Sequence, residues 1–171
     1  MYGGWQMYFL VPVIIAILVG IDQWVKYWTI THLKDMPQIQ VWPGVFHLTY
    51  LENRGAAFGM MQGGQMFFVV VTIIVLIAIA IYWRKIPTDK MGKGLKVALV
   101  LIVSGAIGNL IDRLRLDFVV DMFYFVLINF PVFNVADICV VVGVILMFPI
   151  ILFGELEEEK RKKETVNGEN D

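Results

Sequence analysis

Cysteine, serine, histidine and charge are all scarce in this chain, and each shortage removes a class of chemistry. A single cysteine, Cys139, stands in an apolar run. No disulfide can form within the chain, and a cysteine-ligated metal site lacks its other ligands. Cys139 therefore reads as a small buried hydrophobe. The only serine, Ser104, lies in VSGAIG with no histidine near it in sequence, which argues against a serine nucleophile. His32 and His47 form no HExxH pattern, so a zinc protease has no ligand set. There is no glycine-rich phosphate loop. A net charge of -1 gives no electrostatic reason to expect nucleic acid as a partner.

Apolar residues are abundant instead. Hydrophobic residues make up 58% of the 171 and charged residues only 17%, well beyond the balance of a soluble domain. Four segments, roughly 7–28, 66–83, 97–114 and 135–153, approach the ~20 apolar residues that cross a bilayer. The expected fold is an all-α membrane protein, one domain of four transmembrane helices with a small extracytoplasmic platform. That platform comes from residues 38 to 51, QIQVWPGVFHLTYL, where a Pro-Gly turn is followed by near alternation, and from DFVVDMFYF at 117 to 125, which also reads as extended.

Lysine and arginine set the expected orientation. Arg84, Lys85, Lys90, Lys93 and Lys96 lie between spans two and three, and Lys160 to Lys163 follow span four in a charged tail, 154–171. Both groups belong in the cytoplasm, with both termini. The first span has no basic n-region and no small-residue cleavage site, so it reads as a retained anchor rather than a signal peptide. With this topology Asp22 and Lys26, then Asn109, Asp112 and Arg113, then Asn134 and Asp137 all fall near the outer ends of their spans. The cytoplasmic halves are runs of Val, Ile, Leu and Phe. One polar site at the outer leaflet is expected.

Ionised carboxylates at membrane depth cost roughly 3 kcal/mol each and usually carry a task. Ordinary roles exist for several of them. Asp22 and Lys26, spaced i, i+4, form either a salt bridge or a substrate contact. Asp112 and Arg113 could mark where a helix leaves lipid, and Asp137 could be an acid favoured by a helix N-terminus. In ENRGAAFG, Gly55 and the small Ala56 and Ala57 allow close backbone approach, while Asn53 and Arg54 offer donors for a peptide's carbonyls. Two close aspartates cannot easily both ionise; the charged one can activate water while the protonated one donates to a carbonyl oxygen. Asp137 is one partner. Strand alternation puts Asp117 and Asp121 on one face, so periodicity alone does not choose the other.

DQWVK at 22–26, ENRGAAFG at 52–59, GNLIDR at 108–113, VVDMF at 119–123 and FNVADI at 133–138 together resemble the bacterial lipoprotein signal peptidases, the signal peptidase II family. Five motifs in register make the likeness specific. It implies a four-helix inner-membrane aspartyl endopeptidase that cleaves prolipoproteins on the N-terminal side of a diacylglyceryl-modified cysteine, working as a monomer in the bilayer without metal or organic cofactor. It maps the catalytic pair onto Asp121 and Asp137, selecting Asp121 over Asp117. Its supporting positions are Asp22, Lys26, Asn53, Gly55, Ala57, Gly105, Asn109, Arg113, Asn134 and Ala136, with Arg54 and Asp112 beside them. Val25, where the family often has Thr or Ser, and Ile138, where Ser often stands, are departures that concern packing. Two other readings are a small proton- or ion-coupled transporter and a noncatalytic assembly subunit; the first usually needs polar residues through the whole membrane depth.

Overall fold

In the computed structural model, described for residues 3–55 and 64–168, the long apolar runs form helices because only an internally bonded backbone suits a bilayer. Helix α1 (Gly3–Leu33) leads to strands β1 (Ile39–Trp42) and β2 (Phe46–Asn53). Helices α2 (Gln65–Tyr82) and α3 (Lys90–Leu116) follow, then strand β3 (Val119–Phe125) and helix α4 (Val135–Gly168). Among the described residues four helical segments are long and apolar enough to span a membrane: Phe9–Leu33 in α1, Gln65–Lys85 comprising α2 and the 3-10 turn after it, Lys90–Leu116 in α3 and Val135–Leu152 in α4. This is a multi-pass membrane protein. The helices run past the apolar windows. Helix α3 begins seven residues before Val97 because Asp89 caps it, accepting from Gly92 N at 2.7 Å.

The three strands form one antiparallel sheet in the order β1-β2-β3. The first turn passes through Gly44 at φ 73, a conformation glycine adopts without penalty. Leu51 pairs with Asp121, Leu48 with Phe123 and Phe46 with Phe125, with a register shift between Leu48 and Leu51. Those side chains share one face of the sheet. On the other face of β3, Val120 and Met122 are buried. Helix α1 contacts both β2 and β3, so the sheet sits on the end of the bundle.

One expectation is corrected. Residues 117 and 118 are not strand: Asp117 ends α3 in the left-handed conformation at φ 61 and is exposed. Asp can adopt that conformation and stop a helix. The alternation that appeared to equate Asp117 with Asp121 therefore begins only at Val119.

Candidate active site

Two buried carboxylate groups meet where the sheet joins the bundle. The first is built on Lys26. Its Nζ lies 3.0 Å from Asp22 Oδ2 and 3.0 Å from Asp112 Oδ2, with all three side chains nearly inaccessible. Asp22 Oδ1 accepts from Ala136 N at 2.9 Å, and Asp112 Oδ2 accepts from Val120 N at 3.1 Å. The group thereby ties α1 and α3 to the start of α4 and to β3. Gln23 completes it, donating to Asp112 Oδ1 at 2.9 Å and to Gly108 O at 3.1 Å. Of the two roles open to Asp22 and Lys26, the geometry supplies the salt bridge.

Close approach of the helices depends on glycine at two places. A Cβ at Gly108 would lie 2.5 Å from Asp22 Oδ2, and one at Gly105 would collide with Ala136 O. Any larger residue would push α3 away from α1 or α4.

The second group contains Asp121 and Asp137. Asp121 is 1% exposed. Its Oδ2 accepts from Asn53 Nδ2 at 2.9 Å, and its Oδ1 from Asn134 Nδ2 at 2.6 Å. Asp137 Oδ1 accepts from Asn109 Nδ2 at 2.8 Å, and Oδ2 from Asn134 N at 3.1 Å. Asn134 immediately precedes α4, and its Oδ1 accepts from Asp137 N at 3.0 Å. Asp137 is therefore a reciprocal helix-capping residue as well as a member of the pair. Asn134 bridges the two aspartates.

The asparagine amides have fixed orientations. Asn109 Oδ1 accepts from Lys26 Nζ at 2.8 Å and from Asn134 Nδ2 at 3.1 Å, so its amino group must face Asp137. Asn53 Oδ1 accepts from Gly55 N at 3.0 Å, which turns its amino group toward Asp121. Burial, and then the charge of Asp137, raise the Asp121 carboxyl to about 7; hydrogen bonds from Asn53 and Asn134 and the charge of Lys26 offset part of that rise. A carboxylate poised near neutrality suits proton transfer.

Beside this pair is a cleft of about 290 Å³ between α2, α3 and α4. Asn109, Arg113, Asp137 and Thr72 supply its polar side, and Gly105, Ala106, Val140 and Val141 its apolar walls. Arg113 lies over the Phe68 ring at 5.2 Å, and its Nε is buried without a partner among the described residues.

Most sequence candidates converge here, but not all. Arg54 pairs with Glu52 at 2.9 Å and lies 5.1 Å from the Phe118 ring, so it is not among the groups bonded to either aspartate. Glu52 is held below the usual carboxylate range by the hydrogen bonds from Arg54 and Tyr50. Ala57 lies outside the described residues. Sequence reasoning passed over Gln23 and Thr72. Both left a signal: Gln23 stands next to Asp22, and Thr72 is the one hydrogen-bonding side chain between Gln65 and Tyr82.

Comparison with known proteins identifies the family. Residues 14–153 match the family model described as signal peptidase (SPase) II. A lipoprotein signal peptidase of Streptococcus thermophilus is 45% identical over 141 residues, 82% of this chain and 91% of that protein. One from Enterococcus faecalis is 42% identical over 164 residues, 96% of each. A solved bacterial membrane enzyme superposes with a TM-score of 0.72 at 34% identity, covering 91% of this chain and 92% of its own. With four membrane-spanning helices, a three-stranded sheet and a match over most of its length, the chain belongs to the signal peptidase II family.

Proposed function

We propose that this peptidase removes the signal peptides of prolipoproteins by aspartyl chemistry, with Asp121 and Asp137 as the catalytic pair. The observation that carries the assignment is the asparagine-bridged carboxylate pair beside a cleft at membrane depth. Asp137 lines the cleft and takes the base role, drawing a proton from water as its oxygen attacks the scissile carbonyl carbon. Asp121, more deeply buried, holds the shared proton and gives it to the carbonyl oxygen. When the tetrahedral intermediate collapses, Asp137 returns its proton to the leaving nitrogen as the C–N bond breaks, and Asp121 recovers one from the intermediate's hydroxyl. Arg113, which lines the cleft beside Asp137, is the candidate to hold a substrate carbonyl through its guanidinium.

The cleft opens among apolar helices, which supports a substrate anchored in lipid: a prolipoprotein whose cysteine carries a diacylglyceryl group, cut on the N-terminal side of that cysteine. Every group in the network comes from one chain, so a monomer suffices. The distribution of lysine and arginine favours cytoplasmic termini in a bacterial inner membrane, with the site toward the outer face. Purified protein given a diacylglyceryl peptide should release a fragment beginning at the modified cysteine, with far slower turnover of the unlipidated peptide. Equal turnover would remove the lipid from the account, and proton flux without cleavage would favour a transporter.

A further inference from the structure

The sheet is chemically lopsided along its length. At its Asn53 end, where α3 finishes, stand Glu52, Arg54, Arg115 and Asp117. At the opposite end there is no Asp, Glu, Lys or Arg from Met36 to Leu51, or from Met122 to Ala136. Two turns adjoin at this uncharged end. Val126 N donates to Val45 O at 2.9 Å, joining the β1-β2 turn to the 3-10 turn Val126–Ile128. Between them they expose Val41 (57%), Trp42 (66%), Leu127 (69%) and Ile128 (68%), with Phe130 (46%) alongside.

That exposure is built into the chain's geometry. Asn129 takes the left-handed conformation at φ 48, its Oδ1 accepts from Tyr124 Oη at 2.7 Å, and its backbone N–H closes the turn onto Val126 O at 3.0 Å. Phe133 packs between the rings of Phe123, Phe125 and Phe130, at 5.6 to 5.8 Å between centroids. Leu127 and Ile128 are therefore held outward on a structured turn.

We propose that this paired-turn tip is inserted into the bilayer leaflet on the platform side, as a membrane contact separate from the four helices. Three observations select lipid as the occupant. The tip is joined to a membrane-spanning helix by only five residues, 130 to 134, which return along β3 with Phe133 paired to Phe123 before α4 begins at Val135. It combines tryptophan with branched aliphatic residues and no ionic side chain, the composition that suits the interface and the upper acyl region. An apolar tip left in water would also be an unusual liability for an exposed sheet end. Because β3 carries both Phe125, at the tip, and Asp121, anchoring the tip fixes the depth of Asp121 relative to Asp137.

The test is nitroxide labelling in phospholipid vesicles, in a Cys139→Ala background, with single cysteines at Leu127 and Ile128. Ile77→Cys, exposed on α2, gives the acyl-chain reference, and Asp117→Cys the aqueous one. Relaxation by oxygen and by a water-soluble nickel chelate should put positions 127 and 128 with Ile77. Nickel accessibility equal to that at Asp117 overturns the proposal, and protection from both relaxants also overturns it by indicating a protein partner or a second copy. Should the cysteine-free background fail to fold, lipids brominated high on the acyl chain provide a second reading in the native chain. They should quench a component of tryptophan emission that Trp42→Phe removes; unquenched Trp42 emission overturns the proposal.

Discussion

Two groups of buried carboxylates lie next to each other in this protein, and they are handled in opposite ways. Asp22 and Asp112 share the Lys26 ammonium at 3.0 Å each. Among the described residues, Asp121 and Asp137 receive hydrogen bonds only from neutral amides: the side chains of Asn53, Asn109 and Asn134 and the Asn134 backbone. In a low-dielectric site a directly bonded cation compensates buried negative charge, whereas amides orient a carboxylate and leave most of its charge cost in place. The first group is thereby a strut, and the second remains ready to keep and exchange a proton. Asn109 joins them, accepting from Lys26 on one side and donating to Asp137 on the other.

The sharpest test of this difference is to neutralise one member of each group. Asp121→Asn and Asp137→Asn keep the shape of the side chain but abolish the shared proton, so each should lower cleavage of a lipidated peptide by at least roughly a thousandfold, about 4 kcal/mol in the barrier. Normal insertion and near-normal stability should accompany the loss. Near-normal cleavage by either variant would make that pair a second strut.

Lys26→Met should show the converse balance. It strands Asp22 and Asp112 as uncompensated buried carboxylates, a change worth about 3–5 kcal/mol of stability, read as a lower unfolding midpoint in detergent. An unchanged midpoint would mean that the ion pairs contribute little to the fold.

Titration sharpens the comparison further. The folded value of Asp121, about 7, lies above the ordinary value of about 3.9. The folded chain therefore holds a proton there over a range in which the unfolded chain has lost it. The stabilising contribution is complete below about 4 and is lost as pH rises through about 7. Asp121→Asn removes that titration, so its stability relative to the parent should increase from pH 5 to pH 8. Cleavage by the parent should fall on the alkaline side with an apparent midpoint near 7, as the shared proton leaves. A flat profile from 6 to 9 would contradict the assignment of the proton to Asp121.

The smallest effect belongs to Asp117. Exposed at the left-handed end of α3, it lies outside both groups, and Asp117→Asn should keep at least roughly a tenth of parental activity, a loss below about 1.4 kcal/mol. A loss comparable to that of Asp121→Asn would return Asp117 to the site.

By itself the sequence determined the solvent, the number of spans, the presence of a small sheet and the residue types of the site. Bilayer-spanning helices need only length and hydropathy, which are local properties, and polar residues stand out against such a background. The five motifs also named the family, and through it the aspartate pair. Tertiary structure decided which groups meet. That Lys26 bonds Asp22 and Asp112 while reaching Asn109, and that Gln23 bridges α1 to α3, depends on how closely the helices pack around Gly105 and Gly108. Arg54, attractive as a donor in sequence, was claimed by Glu52 two residues away. Asp117 and Asp121 looked equivalent because alternation assumes a continuous strand; a single left-handed residue ends α3 at Asp117, and strand geometry starts only at Val119. Periodicity describes positions within an element, whereas the contacts of a site depend on where elements end and how they are packed together.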